Sequence, residues 1–324
     1  MLRKSNGYTI GLRRRARDGA LLIPSMNNPF PTLAFPLMLV ILVSCQRMTL
    51  ERTKTKINKE LGKQHGTFAV AFRDIATGEE LFIREHEVFH AASTMKTPVM
   101  IEVFKQASEM KLLLTDSMLI RNEFRSIVDS SVYKLKPEGD SEKELYALVG
   151  SKRTVSDLVY AMITMSSNFA TNLIVERVGA GNVTQTMHDL GAPDIQVLRG
   201  VEDSLAYALG LNNSTTAFDL MVIFQKMAMG ETVNPQASQA MIDILLDQKF
   251  AEIIPARLPK EVKVAHKTGS LTGVHHDSGI VILRDGRKYV LVILSRDLTD
   301  EHKATKAMAR VSALIYRHVM RSRQ

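Results

Sequence analysis

The chain of 324 residues has one cysteine and no internal repeat, and after residue 45 it has no large excess of either charge. Its single cysteine is Cys45, so no intrachain disulfide can form, and a structural metal site built from several thiolates is excluded. There is no internal repeat and no low-complexity segment, and 45% of the residues are hydrophobic. A chain of this length and composition buries a sizeable core, in one large domain or in two subdomains.

The formal net charge of +8 is carried mostly by the start of the chain. Residues 1–25 contain six basic residues and Asp18, and residues 26–45 carry no charge, which leaves only +3 for residues 46–324. That remainder has no obvious basic run. The charge therefore does not indicate a nucleic-acid-binding function.

The beginning of the chain has the pattern of a secretory signal. Its basic residues precede an uncharged apolar run from Phe30 to Val43, which is too short for a comfortable membrane span. The run ends at Leu42-Val43-Ser44-Cys45, which is similar to a bacterial lipobox. We expect a lipid on Cys45 and a periplasmic or cell-surface lipoprotein. The alternative is a free thiol in a signal peptide that is cleaved elsewhere.

A candidate nucleophile lies where the first long helix is predicted to begin. Ser93 and Lys96 are three residues apart, so on a helix both side chains lie on one face. A serine hydroxyl is a poor nucleophile until a base removes its proton, and a buried amine with a lowered pKa is such a base. The alternative is a serine N-cap followed by a solvated lysine, because Ser-x-x-Lys often arises by chance.

Two further motifs follow, one at the end of an apolar helical run and one at the end of a run with strand character. In chain order the three motifs are Ser93-Thr94-Met95-Lys96, Ser166-Ser167-Asn168 and Lys267-Thr268-Gly269-Ser270. This ordered set resembles that of the penicillin-recognising serine hydrolases, and the resemblance is strongest to the class A β-lactamases. It covers roughly residues 60–320. Ser167 departs from the aspartate that is commoner in the family, but the two flanking residues carry the chemistry.

The resemblance implies an acyl-transfer reaction. Ser93 would attack a lactam or peptide carbonyl, Lys96 would serve as its base or proton relay, and Ser166 would pass the proton to the leaving nitrogen. The backbone amides of Ser93 and Ser270 would form the oxyanion hole.

Substrate contacts are also implied by the resemblance. Lys267 would hold the substrate carboxylate, the hydroxyls of Thr268 and Ser270 would add hydrogen bonds to it, and Gly269 belongs to the same binding strand. Asn168 would orient the lysine of the first motif and the side-chain amide of the substrate.

In class A enzymes a loop glutamate activates the water that removes the acyl group, and penicillin-sensitive peptidases lack this step. The irregular stretch from Arg199 to Thr216 is typical of a functional loop. Its Glu202 and Leu205 resemble the family's Glu-x-x-Leu-Asn, but Ala206 replaces the asparagine that helps to hold the water. We therefore expect Glu202 to be the deacylating residue of a slow enzyme.

The same loop departs from the family pattern at two other points. One extra residue separates Arg199 from Glu202, and the aspartate that normally pairs with the arginine has become Asn212 or Asn213. Asp203 is an alternative base if the register of the loop shifts. An acidic, exposed loop without a catalytic glutamate is the other alternative.

His275, His276 and Asp277 form another polar cluster, between two predicted strands. Histidine with carboxylate can bind zinc, but adjacent histidines in a strand point to opposite faces and cannot easily share one ion. We expect these residues in a loop at the edge of the cleft, and no metal. The family's arginine near this point, often a second carboxylate contact, is replaced around Ser278.

Strand patterns lie near both ends of the chain and helical patterns lie between them, which predicts an α/β (α+β) fold. We expect an antiparallel sheet built from both chain ends, flanked by helices, with an inserted all-helical subdomain, as in the β-lactamase/transpeptidase fold. The predicted division is a signal peptide at 1–45 and a catalytic domain at 46–324. Within that domain the sheet subdomain takes 60–92 and 256–324, and the helical subdomain takes 93–255.

These motifs together predict a serine β-lactamase that works through an acyl-enzyme on Ser93. The alternatives are a penicillin-binding DD-peptidase or a related serine amidase or esterase, and a sensor that is acylated by β-lactams without turnover. We expect no cofactor, no nucleic-acid partner, a monomer, and membrane attachment through a lipid on Cys45.

Overall fold

The computed structural model describes residues 50–321, and a five-stranded antiparallel sheet lies at the centre of this part. The strands are β1 (Thr67–Asp74), β2 (Glu80–Ile83), β3 (Phe89–His90), β4 (Ser117–Leu119), β5 (Phe124–Arg125), β6 (Val132–Tyr133), β7 (Lys152–Thr154), β8 (Ser214–Thr215), β9 (Lys263–Leu271), β10 (Val274–Ile282) and β11 (Lys288–Arg296). The order in the central sheet is β2-β1-β11-β10-β9, so strands from early and late in the chain meet at its middle.

Helices cover both faces of this sheet. The α-helices are α1 (50–61), α2 (Lys96–Ser108), α3 (Val155–Thr164), α4 (Asn168–Val178), α5 (Ala180–Asp189), α6 (Ser204–Ala208), α7 (Ala217–Met229), α8 (Pro235–Leu246) and α9 (Glu301–Arg321). No helix within residues 50–321 is long and apolar enough to cross a membrane.

The alternation of side chains along β1 explains why helices pack on both faces of the sheet. Ala69 and Ala71 point into a core shared with α2, α3, α4, α7 and α8, whereas Phe68, Val70 and Phe72 point into a second core shared with α1 and α9. Complete burial of a large apolar side chain contributes about 1.5–3 kcal/mol to folding. The two cores therefore hold both helical layers on one sheet.

The predicted fold class is confirmed, since an antiparallel sheet with flanking helices is what the chain forms. The insert expected between residues 93 and 255 is not all-helical, because it also contains the short strand pairs β4 with β7 and β5 with β6. The predicted signal peptide at 1–45 lies outside the described residues. The division into two subdomains stays a prediction.

Candidate active site

Ser93 lies in a short 3-10 helix, Ala92–Met95, that leads directly into α2. Ala92 has a left-handed backbone, with a φ of 45°, which a residue with a Cβ rarely adopts. A Cβ added to Gly269 of β9 would lie 3.2 Å from the backbone nitrogen of Ser93. Glycine thus allows β9 to approach the candidate nucleophile closely, and backbone strain of this kind is concentrated at active sites.

Lys96 is completely buried in the first turn of α2. Its Nζ lies 2.7 Å from the carbonyl oxygen of Ser166, 3.2 Å from Oγ of Ser166 and 2.9 Å from Oδ1 of Asn168. These three acceptors match the three N–H groups of a protonated lysine. Lys96 must therefore give up one of these bonds to accept a proton, and the bond to Ser166 Oγ is the longest of them.

The environment of Lys96 makes it a base near neutral pH. Burial lowers the pKa of Lys96 to about 7, and the negative charges of Asp140 and Glu202 oppose this shift. A group with this pKa is roughly half deprotonated at pH 7, whereas a solvated lysine is almost entirely protonated. The buried amine that the sequence predicted is thus present, and its role as the base stays a prediction.

Ser166 follows α3, whose start is fixed by a capping box between Thr154 and Asp157. Its backbone is left-handed, with a φ of 56°. Ser166 Oγ accepts hydrogen bonds from Lys96 at 3.2 Å and from Lys267 at 3.0 Å. Because a hydroxyl has two acceptor sites and one hydrogen, its O–H is left to donate to a third group in the cleft.

The sequence predicts Lys267 at the end of a strand, but the structure places it inside β9. The strand continues to Leu271, in register with β10. It is completely buried, and its Nζ also donates to the carbonyl oxygen of Thr268 at 3.0 Å. Burial, together with the charge of Lys96, holds the pKa of Lys267 well below its usual value. An anion bound beside Lys267 would oppose this shift, so the site favours a negatively charged ligand.

Asn168 connects the buried lysine to the loop glutamate. Its Oδ1 accepts from Lys96 at 2.9 Å, and its Nδ2 donates to Oε1 of Glu202 at 2.8 Å. These partners fix the orientation of the amide, since an ammonium can only donate and a carboxylate can only accept. Glu202 is exposed and has a left-handed backbone with a φ of 62°. The structure therefore brings Glu202 to the second motif.

Asp203 is fully engaged elsewhere and cannot take the place of Glu202. Its buried carboxylate accepts from Ser126 Oγ at 3.0 Å, from the amide of Ile127 at 3.0 Å and from the amide of Ala206 at 3.1 Å. It thereby caps α6 and attaches the loop to the segment between β5 and β6. The alternative register, with Asp203 as the base, is wrong.

The loop is closed by neutral partners. Arg199 donates from Nη2 to Oδ1 of Asn212 at 3.1 Å, and Asn213 accepts from the amide of Arg199 at 3.2 Å and donates to its carbonyl oxygen at 3.0 Å. Asn172 of α4 holds Val201 through bonds of 2.6 and 3.0 Å. Both asparagines that were predicted to replace the family's aspartate therefore contact the arginine, and neither supplies a charge.

The start of α4 is held by two side chains, and the sequence did not predict the contribution of one of them, Asp140. Ser167 is its N-cap and accepts from the amide of Ala170 at 3.2 Å, so the departure from aspartate at this position concerns the helix end. Buried Asp140 accepts from the amides of Asn168 at 3.0 Å and Phe169 at 2.9 Å. In the sequence Asp140 ends a stretch with turn composition, which gave no signal of a contact with a distant helix.

The histidine cluster lies in β10 and not in a loop, which corrects the prediction. The two ring systems point in different directions, since His275 Nδ1 contacts Thr305 Oγ1 at 2.6 Å and His276 Nε2 contacts the carbonyl oxygen of His90 at 2.9 Å. Burial lowers the pKa of His276 to about 4. Across residues 50–321 no three His, Cys, Asp or Glu side chains form a group that could hold a metal ion.

A cleft of about 700 Å³ joins these motifs. It is lined by Ser93, Gly139, Ser141, Ser166, Asn168, Phe250, Glu252, Ile253, Thr268, Gly269, Ser270, His275, His276, Glu301, His302 and Thr305. No arginine is among these lining residues, and Ser278 is buried with its Oγ donating to the carbonyl oxygen of Lys267 at 3.3 Å. The wall from Phe250, Glu252 and the start of α9 was not predicted, because it depends on how two distant segments pack.

A serine in a cleft, two buried lysines and a second serine between them form an arrangement typical of enzymes that transfer acyl groups through a serine. The fold and this site together define the class of active-site serine hydrolases. The family that is described as the beta-lactamase enzyme family matches residues 52–319, and the chain belongs to that family.

Curated relatives resemble the chain at low identity. Beta-lactamase L2 of Stenotrophomonas maltophilia is 27% identical over 63% of this chain, and a beta-lactamase of Rhodobacter capsulatus is 26% identical over 58% of it. These matches span only 64% and 59% of the lengths of those two proteins. Beta-lactamase ROB-1 of Haemophilus influenzae is 23% identical over 80% of this chain and 81% of its own length.

Solved structures show the same fold. A beta-lactamase from Sphaerobacter thermophilus has a TM-score of 0.71 at 24% identity, and the match covers 84% of this chain and 97% of that one. The protein PBP-A has a TM-score of 0.71 at 25% identity, over 83% of this chain and 96% of that one.

Proposed function

We propose that the protein is a serine β-lactamase that hydrolyses the β-lactam amide through an acyl-enzyme on Ser93. The observation that carries this proposal is the hydrogen-bonded chain from Lys96 through Ser166 Oγ to Lys267, in the cleft that Ser93 lines. A base, a hydroxyl that can relay a proton and an ammonium that can hold an anion are joined there by hydrogen bonds.

The reaction follows from these contacts. Ser93 Oγ attacks the lactam carbonyl carbon as Lys96, in its neutral form, takes the hydroxyl proton. The oxyanion forms between the backbone amides of Ser93 and Ser270. The proton then passes through Ser166 to the lactam nitrogen as the carbon–nitrogen bond breaks, which leaves an ester on Ser93. Water activated by Glu202 hydrolyses that ester and restores the serine.

The substrate end of the site fits an anionic β-lactam. A substrate carboxylate beside Lys267 would offset the lowered pKa of that lysine and keep it protonated, and the hydroxyls of Thr268 and Ser270 would add hydrogen bonds. Relatives named as beta-lactamases support this substrate class. So does a variant of PBP-A, a protein with the same fold, that forms an acyl-enzyme complex with penicillin G.

The second candidate is a DD-peptidase that is acylated by penicillins and loses the acyl group slowly. The observation that favours it is Ala206, whose buried methyl group cannot hold a hydrolytic water beside Glu202 as an amide side chain would. A sensor that is acylated without turnover would share this feature. The rate of deacylation separates these functions from a β-lactamase.

The proposal is tested by covalent labelling and by hydrolysis of a chromogenic cephalosporin. We expect Ser93→Ala to abolish both labelling by a fluorescent penicillin and hydrolysis, whereas Ser141→Ala, another serine that lines the cleft, keeps both. Labelling of the Ser93 variant, mapped by mass spectrometry to a different residue, would refute the assignment. Labelling of the unaltered protein without hydrolysis would favour the peptidase or the sensor.

We also propose that the protein is a monomeric lipoprotein that is anchored outside the cytoplasm through Cys45. The support is the lipobox-like sequence after an apolar run, and a lipid chain contributes about 0.8 kcal/mol per buried methylene to membrane binding. Cys45→Ala should release the protein from membranes in a fractionation experiment, whereas Ser44→Ala, which keeps the thiol, should not. Retention of the Cys45 variant on membranes would contradict the anchor.

A further inference from the structure

A cluster of basic side chains lies between α1 and the last turns of α9, outside the active-site cleft. It surrounds a cavity of about 150 Å³ that is lined by Arg52, Thr53, Lys56, Leu314, Arg317, His318 and Arg321. Four of these residues are exposed cations: Arg52, Lys56, Arg317 and Arg321. We call these four residues the basic cluster.

The basic cluster has no counter-ion among residues 50–321, since none of its members forms a salt bridge or a hydrogen bond with a carboxylate there. Some neighbouring cations do have a counter-ion, since Lys63, just after α1, and Arg310 of α9 both contact Glu60. Glu79 lies near the cavity, but its carboxylate contacts buried His318 at 2.7 Å. Four like charges that converge without a partner repel one another, so an external anion would stabilise the cluster.

The helix dipole accounts for only half of the basic cluster. Arg317 and Arg321 lie near the carboxyl end of α9, where positive charge is favoured. Arg52 and Lys56 belong to a different helix and still face the same cavity. On each helix the two residues are four positions apart, so they form one stripe. Two stripes that face each other indicate a binding surface.

The basic cluster and the active-site cleft lie at opposite ends of α9. His302 at the start of this helix lines the cleft, and Arg321 at its end lines the cavity of the cluster. At 1.5 Å per residue, 19 residues separate the two positions by about 28 Å. A surface that contacts the basic cluster would therefore leave the mouth of the cleft far from it.

We propose that the basic cluster docks the protein on the phosphodiester headgroups of an anionic phospholipid membrane. Arginine binds phosphate oxygens in a bidentate manner, and each basic residue contributes about 1 kcal/mol near an anionic lipid surface. The four side chains are exposed on the outer side of two helices, which suits a broad surface better than a small free anion. Arg52 is only seven residues after Cys45, a stretch that spans at most about 25 Å. The short distance to Cys45 supports the proposal only if Cys45 is lipidated, whereas the charge of the basic cluster depends neither on lipidation nor on the catalytic function.

The test is partition of the full chain, carrying Cys45→Ala to remove the predicted lipid, between vesicles of phosphatidylglycerol and of phosphatidylcholine. The basic residues at the start of the chain also favour phosphatidylglycerol, so the docking is reported by the change in the ratio of the two partition coefficients between a variant and the parent chain. We expect Arg52→Glu with Arg317→Glu to lower that ratio by roughly 25-fold or more. The control is Lys143→Glu with Lys152→Glu, which changes the net charge equally at exposed positions away from the basic cluster and should lower it less than about threefold.

Three results would overturn the proposal. One is an equal loss for both variants, which would show that only the net charge matters. Another is the absence of any preference for phosphatidylglycerol. The third is displacement by inorganic phosphate far beyond that by chloride at the same ionic strength, which would identify a site for the free anion. Circular dichroism and penicillin labelling of the test variant show whether it is folded.

Discussion

The two sides of the active site, which we call the first wall and the second wall, differ in the burial and hydrogen bonding of their side chains. On one wall Lys96 and Lys267 are fully buried and Ser166 is 9% exposed, and all three share one hydrogen-bonded network. On the other wall Glu202 is exposed and is held to the site through one side-chain bond to Asn168. The first wall carries the acylating groups, and the second carries the group proposed for deacylation.

This difference shows where the sequence is constrained. The lysines and Ser166 of the first wall have hydrogen-bond partners in another motif, and a buried polar group that loses its partner costs about 1–3 kcal/mol, so the first wall does not tolerate a change in one motif alone. The loop can be closed by neutral hydrogen bonds, as Asn212 and Asn213 demonstrate around Arg199. Three departures from the family pattern are accordingly in the loop, whereas Ser167 changes only the cap of α4 and Ser278 is a buried hydroxyl that donates to the carbonyl oxygen of Lys267.

The largest expected effect comes from Glu202→Gln, which breaks the second wall alone. We expect acylation of Ser93 to survive and steady-state hydrolysis to fall by about 10²- to 10⁴-fold, because the variant keeps the shape of the side chain and loses the base. Steady-state hydrolysis with intact-mass detection of the adduct measures both steps. Glu252→Gln is the control, since Glu252 is an exposed carboxylate in the same cleft and should keep normal turnover. Equal rates for the two variants would make Glu202 a bystander.

The next largest effect is a pH dependence of the first wall. Only deprotonated Lys96 can accept the serine proton, so the rate of acylation should rise with pH around the pKa of about 7, by about tenfold between pH 6 and pH 8. Labelling rates with a fluorescent penicillin measure this profile. The negative charge of Glu202 raises the pKa of Lys96, so Glu202→Gln should move the midpoint to lower pH. A rate that falls or stays constant over this range would exclude Lys96 as the base.

The smallest effect concerns the closure of the loop. Asn212→Asp places a carboxylate where Arg199 now donates to an amide oxygen, and we expect the free energy of unfolding to rise by up to about 1 kcal/mol. Asn213→Asp is the matched comparison, because it removes the buried donor to the carbonyl oxygen of Arg199 and should destabilise the protein. Urea unfolding measures both. Equal changes for the two variants would contradict the assigned roles.

The sequence predicted the fold class and the members of the first wall because each motif has a local context. A capped helix leads to Ser166, and an apolar strand contains Lys267. The sequence placed His275 and His276 in a loop because the polar cluster stands between two predicted strands. The structure buries this polar stretch instead, through the long ladder between β9 and β10.

The sequence did not predict the contacts between segments that are far apart in the chain, because these contacts depend on tertiary packing. Asp140 stands in a turn-like stretch, yet its carboxylate accepts two amides at the start of α4, 28 and 29 residues later in the chain. The sequence also left open whether Glu202 or Asp203 faces the site. The left-handed backbone of Glu202 and the three bonds of Asp203 decide this, and both depend on the folded loop.

Mixing the unaltered protein with one chromogenic cephalosporin and following both product and intact mass during the first turnover tests the central claim most directly. We predict a burst of about one equivalent of product, with the adduct on Ser93, followed by a slower steady state, because the first wall is complete and Ala206 leaves the water poorly held. A linear time course without a burst would show that acylation is the slow step. That result, or hydrolysis without an adduct on Ser93, would contradict the account.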